Sequence, residues 1–598
     1  ERAERYIQAG ADGIMIHSYK RSPDEVLAFA EIYEGICRRL GRRRWATAWR
    51  LLRSGDLAAL SRRTVAFLSN QGHRPKRVDY SDWRRQWVEV DDTARAAIDE
   101  LVATLPHRPS FTLLLPVEGA DAELVGATIG SVADQRYPDW ALFLTGGESP
   151  DAAVVNEVTA KRDSRVRFTG PSPAPSGEWV IRLAPGDLLN EAALFAVANA
   201  VVRHPGAAVV YTDHDHVGPD GRFVDPHMKP DWNPDLLAGM DYFGIVTAYR
   251  ADLWEAHATV SSGAHELAVR ATASLEANQV VHVPHVLAGL RVPGDRSHLV
   301  PATVRVVHPL PSPPPRVSVL IPTKDRGRML ERCLSGLRET TTYPDLELVV
   351  VDHETTEVRG RAVLDSLAGM ENVQIIPFSG PFNFSTMCNR AAEASSGDVL
   401  VLLNNDTEAI QPGWLFELVA QVCRPEVGVV CALLTFSDGT IQHAGVHPGL
   451  GGLMGHGHKH FPGDHPGYFG RLLVTHEVAA VTGACLGITR ELWGRLGGLD
   501  EEHLAVAYSD IDLCLRARAA GLRVVLAPHA VVRHHESVSR GYDDDPIGRA
   551  RLEREAATME DRWGDMLHTD PAHSTNLALD GDFFSPALKP RVAPPWRN

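Results

Sequence analysis

A large internal duplication constrains the fold of this 598-residue chain more than any other feature of its sequence. An apolar run at residues 111–116 is matched by one at 317–322, and the sequence Tyr-Pro-Asp follows each of them, at 137–139 and 343–345. Each Tyr-Pro-Asp leads into a further apolar run. Self-similarity over so long a distance indicates two copies of one large α/β unit and not a short-period solenoid.

The size and composition of the chain favour several globular domains. A single hydrophobic core rarely grows beyond about 250–300 residues, so this length predicts about three folded units. The net charge of -16 argues against nucleic acid as the main partner, because a phosphate-binding surface needs a basic excess. The seven cysteines include no CxxC pair, and no apolar run approaches the ~20 residues of a membrane span, which predicts a cytoplasmic location.

Three breaks in composition divide the sequence. Residues 38–54 are rich in arginine, residues 105–109 read Pro-His-Arg-Pro-Ser, and residues 309–315 form a proline-rich linker that favours an extended backbone. The predicted segments are an N-terminal fragment at 1–37, an arginine-rich helical linker at 38–108, a first copy at 109–308, a second copy at 316–580 and a C-terminal tail at 581–598.

The second copy alternates strands with helices. Continuous apolar runs predict parallel strands covered on both faces, at residues 317–322, 346–351 and 399–403. Residues 330–337 have the spacing of an amphipathic helix. Asp352 follows the second strand, and the cluster 404–406 (Asn-Asn-Asp) follows the third. Because open α/β sheets bind ligands at the carboxyl ends of their strands, we expect both groups at a binding site.

The chemistry of these strand-end residues suits a nucleotide ligand. A carboxylate such as Asp352 can accept hydrogen bonds from a base or a ribose, although the same side chain also caps helices. Asp406, with Asn404, offers the oxygen ligands that a hard divalent cation binds, and such a cation stabilises a leaving diphosphate. The alternative is that the cluster 404–406 caps a helix that begins near Trp414.

A pair of carboxylates opens a predicted helix at residues 509–516. Asp510 and Asp512 are two positions apart, so they cannot share one helix face. One of them can point into a cleft while the other caps the helix or pairs with a cation such as Arg516. We predict that Asp510 is a general base that takes the proton of an acceptor hydroxyl. The simpler alternative is that both carboxylates only stabilise the helix N-terminus.

Histidines supply a further candidate metal ligand. His534 follows an apolar stretch at 524–528, and a neutral imidazole there could complete a metal shell. His456, His458 and His460 alternate and could line one face of an extended segment, as in a zinc site. That segment is rich in glycine, and no Cys or acidic cluster of suitable spacing accompanies it, so a structural role is the alternative.

Together these motifs resemble those of bacterial family-two glycosyltransferases with the GT-A fold. The matching stretches lie at residues 321–326, 380–385, 402–407, 438–445, 464–470, 509–516 and 534–537. The resemblance implies an inverting, metal-dependent transfer of one sugar from a nucleotide-sugar donor. Its acceptor would be a glycan or a lipid-linked glycan, and its cofactor Mn²⁺ or Mg²⁺.

The resemblance also implies roles for individual residues. Asp510 is the expected base, and Asp406 and His534 are the expected metal ligands. Donor contacts are expected from Pro322, Thr323, Lys324, Asp352, Asn383, Asn389, Asn404 and Asn405. An acceptor or donor loop would contain Gln442, His443 and Asp512. The usual Asp-x-Asp of the family begins with Asn404 here, which should weaken metal binding, and the usual Glu-Asp begins with Ser509.

Residues 110–300 resemble a second copy of this family that has lost its site residues. Strand ends that should carry the acidic motifs read Thr-Gly-Gly-Glu at 145–148 and Leu-Ala-Pro-Gly-Asp at 183–187, and the corresponding helix opens with Gly-Ala-His-Glu at 263–266. We therefore predict an α/β protein with two tandem GT-A domains of Rossmann-like architecture. Only the second is expected to be catalytic, and the first would be structural or hold the acceptor.

The N-terminal segments carry a different resemblance. Residues 9–18 and 22–29 resemble the phosphoenolpyruvate mutase and isocitrate lyase family, which implies one partial unit of a β/α barrel, too little to close an active site. The arginine-rich residues 38–53 predict either a basic amphipathic helix on an anionic membrane or a linker helix that packs on the first copy.

The sequence thus predicts a glycosyltransferase of bacterial surface polysaccharide synthesis, cytoplasmic or peripheral at the inner face of the plasma membrane. The alternative is a catalytically inactive glycan-binding or scaffold protein of a polysaccharide assembly complex. The missing carboxylate at Asn404 favours that alternative, whereas Asp352, Asp406, Asp510 and His534 argue against it.

Overall fold

Two mixed β-sheets organise the part of the chain that the structure describes. The computed structural model describes residues 78–146, 163–169, 174–259, 263–292, 297–535, 546–580 and 584–597, all within one compact unit, Val78–Asn598. The predictions for the fragment 1–37 and for the arginine-rich stretch 38–54 lie outside the described residues.

The first sheet is built from the first copy of the repeat. Its described strands are β1 (Phe111–Pro116), β2 (Trp140–Thr145), β3 (Val166–Thr169), β4 (Trp179–Arg182), β5 (Leu188–Leu189), β6 (Val209–Val217), β7 (Phe223–His227), β8 (Thr247–Arg250) and β9 (Val280–Arg291). They are hydrogen-bonded in the order β3-β2-β1-β4-β8-β6-β9-β5, and β7 pairs with β6.

The second sheet is built from the second copy. The described strands of this half are β10 (Val317–Thr323), β11 (Leu346–His353), β12 (Val373–Phe378), β13 (Val399–Leu403), β14 (Thr407–Ala409), β15 (Val427–Thr435), β16 (Ile441–His443), β17 (Val446–Pro448), β18 (Met454–His456), β19 (His476–Glu477), β20 (Cys485–Thr489) and β21 (Arg523–His534). The sheet has the order β12-β11-β10-β13-β20-β15-β21-β14, with β16 and β19 at its side, while β17 and β18 form a separate hairpin.

The two sheets have the same strand order, position by position. In each, an antiparallel strand (β8 or β20) separates the parallel strands of the N-terminal part from a parallel pair (β6 with β9, or β15 with β21). A short antiparallel strand (β5 or β14) completes each far edge. The repeat in the sequence therefore corresponds to a repeat in topology.

Helices cover both faces of the second sheet. The described helices are α1 (Tyr80–Trp87), α2 (Asp92–Thr104), α3 (Ala122–Ala133), α4 (Ala193–Arg203), α5 (Pro234–Gly239), α6 (Ala251–His257), α7 (Ala264–Thr272), α8 (Gly327–Ser335), α9 (Val358–Leu367), α10 (Phe384–Ala394), α11 (Trp414–Val422), α12 (Arg490–Leu496), α13 (Ser509–Ala519) and α14 (Pro546–Trp563). Alternate residues of β10 enter two cores, Val319 with α8 and α11, and Leu320 with α10 and α13. Among these helices, none combines the length and apolar character that crossing a bilayer requires.

The half of the described chain that contains the first sheet (the first half, residues 78–308) and the half that contains the second sheet (the second half, from residue 316) are packed against each other. Val474 of the second half lies in the core around β6 and α5. A Cβ atom at Gly239 would lie 2.6 Å from Cβ of Val474, so the close approach requires glycine there. The Asn233 side chain also accepts from and donates to the backbone of Glu477, with both hydrogen bonds 3.2 Å long.

The predicted C-terminal tail is part of the first half. Trp596 is buried in the core of the first sheet, with its ring centroid 6.1 Å from that of Phe195. Upstream, Asn576 donates to the carbonyl of Pro284, and Trp83 donates to the carbonyl of Ala587. The chain therefore leaves the second sheet and returns to cover the first.

Candidate active site

A cleft of about 410 Å³ lies at the carboxyl ends of β10 and β13. Its lining consists of Pro322, Thr323, Lys324, Asp325, Arg326, Phe382, Phe384, Asn404, Asn405, Thr482, Gly483, Ala484, Val506, Ser509 and Asp510. Six of the residues singled out in the sequence meet here, namely Pro322, Thr323, Lys324, Asn404, Asn405 and Asp510. Because β10 and β13 are parallel, the five residues at their carboxyl ends share one edge of the sheet, and Asp510 reaches this edge from the first turn of α13.

The loop after β10 supplies the cationic wall of the cleft. Lys324 and Arg326 are exposed there, and Asp325 and Arg326 have positive φ angles of 50° and 54°. The Asp325 carboxylate accepts from the backbone N–H groups of Thr356 and Glu357, which lower its pKa below the ordinary value. The loop is thus fixed in a conformation that side chains rarely adopt, as is common at ligand sites.

Asn405 connects the two strand ends. Its amide donates to the Thr323 hydroxyl at 2.8 Å, and both side chains are buried. The alternative prediction is that the cluster 404–406 caps the helix near Trp414. That helix begins at Trp414, its N-cap residue is Gly413, and no side chain caps it. The capping alternative for the cluster is therefore wrong.

Asp510 lies in the first turn of α13 and lines the cleft. Its Oδ2 accepts from the Gly483 N–H at 2.7 Å, which fixes the direction of the carboxylate. A Cβ atom at Gly483 would lie 3.4 Å from Cβ of Asp510, which is ordinary van der Waals contact, so Gly483 and Asp510 are packed directly against each other. The helix N-terminus favours the ionised form of a carboxyl group through its dipole.

Asp512 is turned into the protein, which corrects its assignment to a ligand-binding loop. It is fully buried, and it accepts from Arg516 at 2.8 Å, from Arg562 at 2.8 Å and from the Trp563 indole at 2.9 Å. The structure therefore realises the division predicted for this helix, with one carboxylate in a cleft and the other paired with Arg516.

Asp406 and His534 meet at the edge of the sheet. The Asp406 Oδ1 and the His534 Nε2 are 3.2 Å apart, and both side chains are more than nine-tenths buried. Pairing of β14 with β21 brings them together, and His534 is the last residue of β21 and not a residue beyond it. Within the described residues, no group of three or more His, Cys, Asp or Glu side chains is arranged to hold a metal ion.

These two groups nevertheless fit a cation that is shared with a ligand. A divalent metal in a nucleotide site typically takes one or two protein ligands, with phosphates and water completing its shell. The imidazole Nδ1 of His534 is buried and makes no hydrogen bond with any described residue. No described partner at Nδ1 therefore fixes which ring nitrogen carries the proton, so Nε2 can be the unprotonated nitrogen that binds a cation. The donor set is thus one carboxylate and one imidazole.

Asp352 does not line the cleft. Its Oδ1 accepts from the Thr355 N–H at 3.0 Å, and its Oδ2 accepts from Arg361 at 2.7 Å. Both carboxylate oxygens therefore stabilise the loop between β11 and α9. The contact of Asp352 with a nucleoside stays a prediction, and a ligand would have to share these oxygens.

Asn383 and Asn389 hold the segment that leads to α13. Asn383 caps α10 through the Thr386 N–H and donates to the Glu501 carbonyl. Asn389 accepts from the Leu499 N–H and donates to its carbonyl, both at 2.9 Å. Neither lines the cleft, so these contacts explain the two residues as positioning residues, and their contact with the donor stays a prediction.

Gln442 and His443 lie on β16, next to β15, and are buried. The Nδ1 atoms of His443 and His456 form a hydrogen bond of 2.8 Å, and burial lowers the pKa of His443 well below its ordinary value. His458 and His460 have positive φ angles of 55° and 68°, so this segment is not extended as a zinc site of alternating histidines would require. Neither Gln442 nor His443 lines the cleft, and their loop role stays a prediction.

Several cleft residues were not singled out in the sequence. Phe382 comes from the loop before α10, Phe384 is the first residue of α10, and Thr482 to Ala484 precede β20. A further one acts at a distance: Glu555 of α14 is buried and accepts from the backbone N–H groups of Val506 and Ala507, beside the cleft. The small residues Thr-Gly-Ala at 482–484 were a usable signal, whereas nothing local marked Glu555.

Comparison with known proteins shows which sequences this chain resembles. Residues 314–541 match the model of "Glycosyltransferase like family 2". The chain is 35% identical over 593 residues to "Uncharacterized protein y4gI" of Sinorhizobium fredii, covering 90% of this chain and 65% of that protein. It is 33% identical over 514 residues to "O-antigen biosynthesis protein RfbC" of Myxococcus xanthus, covering 77% of this chain and 40% of that protein.

A shorter relative aligns with part of the chain. The "N-acetylglucosaminyl-diphospho-decaprenol L-rhamnosyltransferase" of Mycobacterium tuberculosis is 26% identical over 244 residues, which cover 38% of this chain and 78% of that protein. The chain thus spans 65% and 40% of the lengths of the two longer relatives. All residues of the cleft fall between 314 and 541. The candidate active site therefore lies within the segment that matches the glycosyltransferase-like family 2 model.

Proposed function

We propose that the chain is an inverting glycosyltransferase that moves a sugar from a nucleotide-sugar donor to a growing glycan. The observation that carries the proposal is the cleft itself, where the Asp510 carboxylate, the Asn404 amide and the cations Lys324 and Arg326 line one cavity inside the family 2 segment. A volume of about 410 Å³ falls within the range of about 300–1,000 Å³ for small-ligand sites.

Donor binding follows from the charges of the cleft. Lys324 and Arg326 would neutralise the diphosphate, and Asn404 would donate to its oxygens. Asp406 and His534 are the groups that would hold a divalent cation. When bound, such a cation stabilises the negative charge that develops on the departing diphosphate.

Asp510 would carry the proton transfer. It takes the proton of the acceptor hydroxyl while the hydroxyl oxygen forms a bond to the anomeric carbon of the sugar. The bond from that carbon to the diphosphate oxygen breaks, and the nucleoside diphosphate leaves with the electron pair. Attack on the face opposite the leaving group inverts the anomeric carbon, and a positioned base contributes about 10²–10⁴-fold to the rate. The Gly483 N–H holds the carboxylate in place for this step.

We further propose that the first sheet is a non-catalytic copy. Asp187 directly precedes β5 as Asp406 directly precedes β14, but Gly289 pairs with the first residue of β5 where His534 pairs with the first residue of β14. Asp187 accepts from the Ala184 N–H within its own turn, and burial raises its pKa to about 6. The copy thus keeps a carboxylate at this position, about half protonated near pH 6, and has Gly289 where the second sheet has His534.

The relatives suggest the biological context. One is named for O-antigen biosynthesis and another as a rhamnosyltransferase that acts on a lipid-linked sugar, so we propose a glycan or lipid-linked glycan as the acceptor. The cytoplasmic location and a peripheral contact with the membrane remain part of this proposal.

Release of nucleoside diphosphate from UDP-, GDP- and dTDP-sugars tests the proposal. The chain is assayed with Mn²⁺, with Mg²⁺ and with EDTA, beside Asp510→Asn, Asp406→Ala and the matched variant Asp187→Asn of the first sheet. We expect metal-dependent turnover of one donor, lost by at least about 10²-fold in the first two variants and unchanged in Asp187→Asn.

Two other outcomes would change the assignment. Turnover that survives in Asp510→Asn but is lost in Asp187→Asn would move the active site to the first sheet. Donor binding without turnover, unchanged by EDTA and by Asp406→Ala, would favour the inactive glycan-binding or scaffold protein, as the Asn404 substitution suggests.

A further inference from the structure

A second pocket, of about 230 Å³, lies between the two halves and shares no lining residue with the cleft. The first half contributes the α5 region and residues 304–308, and the second half contributes Arg424, Thr475 and Arg523. Pockets for drug-sized ligands occupy about 300–1,000 Å³, so this pocket suits a smaller ligand. Because both halves form its walls, it exists only while they are packed together.

One wall is a ring of four charged side chains. The Asp235 carboxylate accepts from Arg424 at 2.7 Å and from Arg523 at 2.9 Å. The Glu426 Oε1 accepts from the same two arginines, at 2.8 Å and 2.7 Å. Two guanidinium groups are thus balanced by two carboxylates. The wall presents donors and acceptors side by side with no formal net charge.

The rest of the pocket combines apolar surface with Thr475 and the imidazoles of His308 and His529. Pro234, Ala238, Val304, Val306 and Val474 supply the apolar lining. Thr475 is 7% exposed, and its hydroxyl is buried and makes no hydrogen bond with any described residue. Burying a hydroxyl without a partner is unfavourable, so a rotation of the Thr475 side chain that turns this hydroxyl to a ligand in the pocket would remove the cost.

We propose that the inter-half pocket binds one neutral sugar residue of a glycan. Each hydroxyl of a sugar ring both donates and accepts, which matches a wall where Arg424 and Arg523 alternate with Asp235 and Glu426. The C–H faces of the ring match the valine and proline surface. An anion would face two carboxylates already engaged with the arginines, and a cation would face the arginines, so the wall favours an uncharged polar ligand.

The pocket would give the first half a role in binding, although the strand ends of its sheet lack the site residues of the second sheet. It would hold a glycan against the second half at a place separate from the cleft. The inference goes beyond the proposed transfer reaction and does not depend on it, since a chain without turnover could bind a glycan here.

Saccharide binding to the whole chain tests the inference. Methyl glycosides of neutral hexoses and deoxyhexoses are titrated by saturation-transfer NMR while the cleft is filled with nucleoside diphosphate and the diamagnetic ion Mg²⁺. Thr475→Val removes the unpaired hydroxyl, and Arg424→Gln opens the charged ring. Thr272→Val is the matched control, because its buried hydroxyl bonds to the Ala268 carbonyl of its own helix and does not line the pocket.

We expect one of the glycosides to bind the unaltered chain and Thr272→Val equally. Binding should be at least about threefold weaker in Thr475→Val, the loss of one neutral hydrogen bond, and at least about tenfold weaker in Arg424→Gln. Thr475→Val keeps the side-chain shape, so it remains informative if Arg424→Gln fails to fold.

Three results would overturn the inference. They are sugar binding that vanishes when the cleft is filled, equal affinities in all four proteins, and inorganic phosphate that displaces the sugar from the pocket. Donor turnover is measured on the same four proteins without added nucleoside diphosphate. Since Thr475 does not line the cleft, turnover that persists in Thr475→Val separates failure of this pocket from failure of the proposed transferase.

Discussion

At the scale of single residues, α13 shows how two neighbouring carboxylates acquire different surroundings. Asp510 faces the cleft and the Gly483 N–H, whereas Asp512 is enclosed by Arg516, Arg562 and Trp563. The spacing of the pair predicted that they would separate. Which one is buried is decided by α14, whose approach no local pattern reveals.

Replacement of each carboxylate by asparagine should therefore change a different property: stability for Asp512 and turnover for Asp510. Asp512→Asn should lower the free energy of unfolding, measured in urea, by about 2–4 kcal/mol, because two arginines lose the charge that balances them. Asp510→Asn should change that free energy by less than about 1 kcal/mol and abolish most turnover. An equal loss of stability in both variants would show that the Asp512 cluster does not hold α14 to α13.

At the scale of secondary-structure elements, buried parallel strands were predictable and the elements around them were not. The strands expected at 317–322, 346–351 and 399–403 are β10, β11 and β13, with their ends shifted by at most two residues. The helix expected at 330–337 begins as α8 and ends in a π-helical turn at Gly336–Thr340. Short edge strands such as β14 and β19 depend on partners distant in sequence, so no local pattern marks them.

The contact between α8 and α9 rests on glycine. A Cβ atom at Gly327 would lie 2.3 Å from the backbone nitrogen of Gly360, so Gly327→Ala must separate the helices. We expect a loss of about 2 kcal/mol or more in the free energy of unfolding, and a raised KM for the donor, because the adjacent loop carries Lys324 and Arg326.

Gly494 provides the matched control for this prediction. It lies inside α12, and a Cβ atom there would meet no atom within 4 Å. Gly494→Ala should stabilise the chain by up to about 1 kcal/mol through helix propensity, with donor KM unchanged. Chemical denaturation of both variants gives the comparison, and a stable Gly327→Ala with normal KM would mean that the helices can part without cost.

At the scale of the whole molecule, the two sheets and the returning C-terminal segment bury many histidines. Burial lowers the pKa well below the ordinary value for His214, His227, His443, His458 and His476. It also lowers the pKa of His216 and His285 to about 4 and that of His573 to about 3. These eight side chains are neutral in the folded chain at pH values where the unfolded chain is protonated.

A smaller set of groups acts in the opposite direction. Burial raises the pKa of Asp187 and Asp215 to about 6 and that of Glu477 to about 7, so the folded chain keeps protons there that the unfolded chain releases. His282 also keeps a proton in the folded chain. Burial opposes its protonation, but Asp213 and Asp231 raise its pKa to about 9. Its contribution is complete below pH 6.5 and is lost as the pH rises toward 9.

The balance predicts that the chain is most stable near pH 7 and is destabilised by acid. Below about pH 6.5 the unfolded chain takes up protons at eight histidines and the folded chain does not. Each such proton lowers the free energy of unfolding by up to about 1.4 kcal/mol per pH unit. The three carboxyl groups offset part of this decrease in the free energy of unfolding, and His282 adds only a shallow decline above pH 7.

Urea titrations at pH 5.0, 6.0, 7.0 and 8.5 and constant ionic strength should therefore give a free energy of unfolding that falls by several kcal/mol from pH 7.0 to 5.0 and by much less from 7.0 to 8.5. A maximum near pH 5 would mean that water reaches and hydrates these histidines in the folded chain, because only then could they be protonated without unfolding.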